Sequence, residues 1–139
     1  MIRVLLVDDH EAILLGLTAA LERTEDLSIV GCARDGLEAV RLAQRLRPDV
    51  IVMDLSMNGL DGVSSTEQIL HLDPDARVVV LSSFGRPTVV NQALRAGACG
   101  FLVKGEPVAN VVVAIREAHR GEQPLSASLV PGLRRLRAL

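Results

Sequence analysis

The hydrophobic positions of this chain form short continuous runs that are separated by longer stretches with helical spacing. Four uniform runs occupy residues 4–7, 50–53, 78–81 and 100–103, and a less uniform one occupies residues 27–33. Apolar runs of this length are typical of strands buried in a parallel sheet, whereas apolar residues three or four positions apart are typical of helices that cover it. The alternation therefore predicts an α/β fold with five parallel strands, right-handed crossovers and helices on both faces.

Capping residues and prolines mark where the helices begin. Asp35, with Glu38 three residues later, resembles a capping box and predicts a helix over Leu37–Leu46. Pro87 and Pro107 suit the first turn of two later helices, because a proline at that position loses no intrahelical hydrogen bond.

The four uniform runs all end at residues that can bind a metal ion or a phosphoryl group. In chain order these residues are Asp8 with Asp9, Asp54, Ser82 and Lys104. Because the carboxyl ends of parallel strands meet at one edge of an open sheet, where ligands bind, the sequence predicts a single site at that edge.

The three aspartates predict a metal site. Two unit charges ~4 Å apart repel by roughly 4 kcal/mol at an effective dielectric constant of 20, and Asn or Ser would close these loops without that repulsion. Mg²⁺ would relieve it, since this ion takes carboxylate, carbonyl, water and phosphate oxygens as ligands. His10 is a further potential ligand, but directly after Asp9 it is interpreted as the start of the first helix.

Lys104 is the only lysine among 15 basic residues. A compact ammonium on a flexible stem reaches a phosphoryl oxygen well, which is a reason to keep a lysine among so many arginines. The alternative interpretation is that Lys104 simply balances the charge of Asp8 or Asp54.

Asp54 stands alone after its strand and before a glycine-containing turn, which suits a nucleophile that attacks phosphorus and forms an acyl phosphate. The metal ion and Lys104 would stabilise charge on the transferred group, and the Ser82 hydroxyl would donate to one of its oxygens. Taken by itself, Ser82 is better interpreted as a strand-end hydroxyl that is hydrogen-bonded to local backbone. Only its position opposite Asp54 favours a catalytic role.

Composition narrows the class of protein. A chain of 139 residues with a net charge of −2 fits one domain and gives no reason to expect a polyanionic partner. Its two aromatic residues, Phe84 and Phe101, cannot form the stacking platforms of single-stranded nucleic-acid binding proteins. No apolar run has the ~18 residues of a membrane span or the character of a signal peptide, so we expect a cytoplasmic location. Cys32 and Cys99 are predicted to be buried and reduced.

The periodic pattern weakens after Gly121. We expect a domain at residues 1–122 and a linker or tail at 123–139. Six residues of the tail have the spacing of a short amphipathic helix: Leu129, Leu133, Leu136, Arg134, Arg135 and Arg137. We favour a partly ordered tail; the alternative is the start of a connection to a second domain.

These residues lie in motifs that resemble the receiver domains of bacterial two-component response regulators, specifically the NarL/LuxR subfamily. The resemblance covers residues 2–122. The matching segments are LLVDDHEAILLGL (5–17), DGLEAV (35–40), PDVIVMDLSMNGLDG (48–62), ARVVVLSSF (76–84), ALRAGACGFLVK (93–104) and AIREAHRGE (114–122). The resemblance implies a doubly wound, CheY-like sheet with strand order 2-1-3-4-5.

The resemblance also implies a phospho-acceptor and a metal site. Asp54 would accept a phosphoryl group from the phosphohistidine of a sensor histidine kinase, in a reaction that depends on Mg²⁺ or Mn²⁺. Asp9, Asp54 and the backbone carbonyl of Ser56 would ligate the ion directly, and Asp8 would act mainly through water.

A switch is implied in the same way. Ser82 would move toward the phosphoryl group, Lys104 would be its charge partner, and Phe101 would turn inward in response. Phe101 is open to the alternative interpretation of a plain core residue. Phe84, two residues past Ser82, is expected to shield the acyl phosphate from water.

The expected output is dimerisation on phosphorylation and control of transcription through a DNA-binding domain. These residues themselves are expected to contact neither nucleic acid nor a membrane. Two positions depart from the family pattern: Asn58 stands where proline is usual, and Gly105 where proline or an acidic residue is common. The helix-turn-helix of the subfamily is not in this chain, which predicts an excised or a stand-alone receiver.

Two other functions compete with this interpretation. A Mg²⁺-dependent phosphatase or phosphotransferase would use Asp54 on exogenous substrates, but there is no second carboxylate two residues later and no large cap insertion. A pseudo-receiver would act as an unphosphorylated interaction module, although the complete acidic set argues against it.

Overall fold

The computed structural model describes residues 1–55, 61–83 and 85–137, and its strands form one parallel sheet. The strands are β1 (Ile2–Val7), β2 (Leu27–Ala33), β3 (Val50–Asp54), β4 (Arg77–Ser82) and β5 (Gly100–Val103). Their order is β2-β1-β3-β4-β5, and each neighbouring pair is parallel. This confirms the predicted doubly wound sheet.

Helices connect the strands. They are α1 (Glu11–Glu22), α2 (Gly36–Leu46), α3 (Gly62–Leu72), α4 (Pro87–Arg95), α5 (Val108–His119) and α6 (Val130–Arg137). The Asp35 side chain accepts a hydrogen bond from the Glu38 backbone N–H at 2.8 Å, which confirms the predicted cap of α2. Within the described ranges, every helix is too short or too polar to cross a bilayer.

The alternation of side chains along the strands divides the core into two layers. One layer packs residues such as Leu6 and Val52 against α1 and α5. The other packs Leu5, Met53 and Phe101 against α2, α3 and α4. Because both faces of the sheet are covered, its carboxyl edge is where polar side chains can gather.

The predicted burial of the two cysteines is wrong, whereas both are free thiols, as predicted. Cys32 is exposed on β2 and Cys99 is half-buried just before β5. The physical reason is their position: Cys32 lies on the edge strand β2, and Cys99 precedes β5, the strand at the other end of the sheet.

The amphipathic spacing noted in the tail corresponds to a helix, and residues 124–137 are more ordered than the favoured interpretation of a partly ordered tail expects. A 3₁₀ turn at Ala127–Leu129 leads into α6, and Leu129 and Leu133 are buried in the same core layer as α4. A helix of eight residues is marginal by itself; the local pattern shows its apolar face, but its stability comes from the core layer on which that face packs. The division into a domain at 1–122 and a tail stays a prediction.

Candidate functional site

The carboxyl edge of the sheet brings the predicted polar residues together. Asp54 is the last residue of β3 and Ser82 the last of β4, while Asp8 directly follows β1 and Lys104 directly follows β5. These four strands are consecutive in the sheet, so their ends form one continuous edge. Asp8, Asp54 and Ser82 are buried.

Lys104 contacts two of the aspartates. Its Nζ atom lies 3.1 Å from Oδ1 of Asp54 and 3.3 Å from Oδ2 of Asp8. The Lys104 backbone N–H donates to the carbonyl oxygen of Ser82 at 2.8 Å, which fixes where the side chain starts. The side chain then extends past β4 to reach the end of β3, so the ammonium contacts both Asp8 and Asp54.

His10 lies in the acidic cluster, although from the sequence its interpretation as a ligand was set aside in favour of a helix start. It is the N-cap of α1, as predicted, but its Nδ1 lies 2.8 Å from Oδ1 of Asp8, 3.0 Å from Oδ1 of Asp9 and 3.9 Å from Oδ2 of Asp54. The hydrogen bond with Asp8, followed by the negative charges of Asp8 and Asp9, raises the pKa of His10 above its usual value. The direct succession of two aspartates and a histidine was the available signal.

The acidic cluster fits a divalent cation. Asp8, Asp9, His10 and Asp54 each offer one ligand atom, and these atoms lie within 4.8 Å of one another. Oδ2 of Asp8 and Oδ1 of Asp9 are buried and lack a hydrogen-bond partner among the residues that the structure describes. Their contacts with Lys104 and His10 are ionic and lack hydrogen-bond geometry. Burial without hydrogen bonds is unfavourable for charged oxygens, and a hard cation that takes oxygen ligands relieves it.

Three sequence predictions fall on residues that the structure does not describe. They concern the backbone carbonyl of Ser56 as a metal ligand, the substitution of proline by Asn58, and the shielding role of Phe84. All three lie outside the described residues and stay predictions.

Gly62 allows α3 to begin directly against the end of β3. A Cβ atom at this position would lie 2.6 Å from the carbonyl oxygen of Asp54 and 2.8 Å from the Cα of Leu55. Both neighbours are backbone atoms that cannot turn aside, so this close approach requires glycine. Gly62 therefore helps to position the backbone that carries the Asp54 carboxylate.

Phe101 is completely buried on β5, in the core layer of α2, α3 and α4. Its side chain thus already points inward in this structure. The expected movement of Phe101 stays a prediction, as do the assigned roles of Ser82 and Lys104.

Comparisons with known proteins agree with this geometry. A profile of the response regulator receiver domain matches residues 4–116. The transcriptional regulatory protein LiaR of Bacillus subtilis is 46% identical over 129 residues, which cover 93% of this chain and 61% of that protein. A LuxR-family two-component response regulator from Aurantimonas has a TM-score of 0.94 at 30% identity, covering 100% of this chain and 99% of that one.

A third similar protein is the signal receiver domain of the response regulator NarL from Mycobacterium tuberculosis. It is 33% identical, with a TM-score of 0.84 over 87% of this chain and 98% of that one. This chain spans less than two thirds of the length of the curated relatives. The family match covers most of the chain and includes every polar strand end of the site, so the chain belongs to the receiver domain family of two-component response regulators.

Proposed function

We propose that this domain is a phosphorylation-driven switch in which Asp54 is the phospho-acceptor. The observation that carries the proposal is the contact of the buried Asp54 carboxylate with the Lys104 ammonium at 3.1 Å, inside a cluster of potential metal ligands. A carboxylate in this setting is oriented by its strand and surrounded by groups that stabilise the charge of a transferred phosphoryl group.

The donor is the phosphohistidine of a sensor histidine kinase. A carboxylate oxygen of Asp54 forms a bond to phosphorus, the bond between phosphorus and the imidazole nitrogen breaks, and its electron pair stays on the imidazole. Lys104 then donates a hydrogen bond to a phosphoryl oxygen, and the Ser82 hydroxyl donates to another. Attack of water on the acyl phosphate returns Asp54 to its free form, so the domain turns over its own phosphoryl group and no exogenous substrate.

Mg²⁺ or Mn²⁺ is the proposed cofactor. Asp9, Asp54 and the backbone carbonyl of Ser56 would bind the ion directly, and Asp8 would bind it through water. When bound, the ion offsets the negative charge of the carboxylates and of the phosphoryl oxygens.

The proposed output is a change of conformation that controls dimerisation and transcription. Ser82 moves toward the phosphoryl group and Phe101 responds, which alters the face that contacts a second copy. Transcription would be controlled through a DNA-binding domain linked to this one, as the description of LiaR as a transcriptional regulator suggests by similarity. The proposed location is the cytoplasm, where a kinase would deliver the phosphoryl group.

The test is to treat the protein with acetyl phosphate and Mg²⁺ and to measure its intact mass by mass spectrometry. Wild type should gain the mass of one phosphoryl group and Asp54→Asn should gain none. Asp49→Asn is the matched control, because Asp49 precedes β3 at the opposite edge of the sheet, and it should be labelled like wild type. Equal labelling of Asp54→Asn would refute the assignment.

Two results would move the assignment to another function. Multiple-turnover hydrolysis of a phosphate ester, faster than loss of the bound phosphoryl group, would indicate a phosphatase. A domain that binds neither Mg²⁺ nor beryllofluoride, an analogue of the phosphoryl group, would instead be an unphosphorylated interaction module.

A further inference from the structure

Residues 124–137, here called the C-terminal strap, run along the free edge of β5 and end as α6 against α4. Leu125 forms a parallel bridge with Phe101. The Phe101 N–H donates to the Pro124 carbonyl at 2.9 Å, and the Ser126 N–H donates to the Phe101 carbonyl at 3.0 Å. Both backbone groups of Phe101 are therefore bonded to the strap.

Ser126 joins the strap to the residues on either side of Lys104. Its hydroxyl accepts a hydrogen bond from the Val103 N–H at 3.0 Å and donates one to the Glu106 carboxylate. Ser126 is buried although it follows α5 in the chain and belongs to neither a strand nor a helix. The strap thus contacts the strand end that carries the site lysine.

The strap also packs against the segment that follows Ser82. A Cβ atom at Gly85 would lie 2.5 Å from Cδ2 of Leu129, and a Cβ atom at Gly132 would lie 2.8 Å from Cγ of Pro87. Gly85 is three residues after Ser82, and Pro87 opens α4. These contacts leave no room for one additional carbon. A shift of Gly85 or Pro87 therefore disturbs the packing of the strap against them.

We propose that the strap is the element that responds to phosphorylation: when Ser82 moves toward a phosphoryl group on Asp54, Gly85 and Pro87 shift and α6 is released from α4. This rests on the proposed function of Asp54. An eight-residue helix is marginal without tertiary packing, so loss of the contacts of Leu129 and Leu133 releases it as a unit. Release of the strap exposes the face of α4 that α6 covers.

The first test is hydrogen–deuterium exchange of the full chain with Mg²⁺, in the presence and absence of beryllofluoride. Binding of beryllofluoride is followed independently by ¹⁹F NMR. We expect amides of residues 129–137 to exchange several-fold faster when beryllofluoride is bound, while amides of α1, which packs on the other layer, do not change. Unchanged exchange in the strap with beryllofluoride bound overturns the strap proposal alone. Absence of beryllofluoride binding overturns the proposed function, and the strap proposal with it.

The second test uses the coupling between two sites: if binding at Asp54 releases the strap, a substitution that weakens docking of the strap should strengthen binding at Asp54. Gly132→Ala places a Cβ against Pro87 and weakens docking while it favours the helix itself. Leu133→Ser removes a buried leucine from the same interface. Both should bind beryllofluoride several-fold more tightly than wild type.

Arg135→Ala is the matched control, because Arg135 is exposed on the same helix and should leave the affinity unchanged. Faster exchange of the strap in Gly132→Ala or Leu133→Ser without a gain in beryllofluoride affinity shows that the strap and the site are uncoupled, which overturns the proposal.

Discussion

Lys104 and Asp54 form an ion pair although their strands are separated by β4. The Nζ to Oδ1 distance is 3.1 Å, and the exposed fractions of the two side chains are 13% and 1%. Desolvating two charges offsets much of their attraction, so a pair this buried is a weak source of stability. We therefore attribute its presence to the chemistry of the site.

The first prediction concerns the charge of Asp54. Asp54→Asn should raise the free energy of unfolding by about 1–2 kcal/mol without divalent ions, because relief of the repulsion from Asp8 and Asp9 is only partly offset by loss of the attraction to Lys104. It should also remove most of the stabilisation by Mg²⁺, which for wild type reaches about 2.7 kcal/mol at a hundredfold excess over Kd. Urea unfolding is followed by circular dichroism, since the chain has neither Trp nor Tyr.

The control for this prediction is Asp49→Asn. Its Oδ2 accepts a hydrogen bond from the Arg3 N–H at 2.8 Å, away from the acidic cluster. Its stability should not increase, and its response to Mg²⁺ should equal that of wild type. A destabilised Asp54→Asn that still responds to Mg²⁺ would contradict the prediction.

The second prediction concerns the Lys104 ammonium. Lys104→Met should lower the rate of labelling by acetyl phosphate by about 10²-fold, the usual loss when one donor to a developing negative charge is removed. Mg²⁺ affinity, measured by calorimetry, should stay the same or increase, because a competing cation has gone. Arg45→Met removes a positive charge from the exposed surface of α2 and should leave both quantities unchanged. A parallel loss of Mg²⁺ affinity would show that Lys104 maintains the fold of the site.

The third prediction separates two glycines. Gly62→Ala should lower the free energy of unfolding by roughly 1–3 kcal/mol, because the new Cβ would overlap the Asp54 and Leu55 backbone. Gly16 is exposed within α1, and a Cβ atom there would meet no described atom within 4 Å beyond its chain neighbours and its own helix backbone, so Gly16→Ala should raise the free energy of unfolding by up to about 1 kcal/mol. Urea unfolding of both variants gives the comparison, and equal effects of the two would rule out a packing origin.

The fourth prediction concerns pH. The Arg116 guanidinium binds Asp26 with two hydrogen bonds of 2.8 Å, and these hydrogen bonds lower the pKa of Asp26 and raise that of Arg116. A carboxylate whose pKa is lower in the folded state adds stability above its unfolded-state pKa, and this contribution is lost as the pH falls through the folded-state pKa. Asp26→Asn should therefore lower Tm slightly at neutral pH and have no effect in strong acid.

Glu25→Gln, the adjacent exposed carboxylate, is the control for this pH dependence. At neutral pH the Tm of Glu25→Gln should differ from that of wild type by less than the Tm of Asp26→Asn does. A Tm difference between wild type and Asp26→Asn that persists in strong acid would show that the effect does not come from the ion pair.

The local hydrophobic pattern was sufficient to predict the strands and helices and to predict which polar residues lie together at the site. The ends of β3 and β4 fall at Asp54 and Ser82 as predicted, because an uninterrupted apolar run reports burial in a sheet directly. The parallel arrangement then requires these ends to share one edge. For the same reason the sequence alone determined that Lys104 lies near the acidic cluster.

Tertiary structure decided what depends on residues far apart in the chain. The docking of Leu133 near α4, the exposure of Cys32 on an edge strand and the narrow gap at Gly62 all depend on which surfaces meet. The place of His10 among three carboxylates depends on the angle at which α1 leaves the sheet. Hydrophobic periodicity reports the environment of one element, whereas these features arise from the packing of several, so only the folded structure determines them.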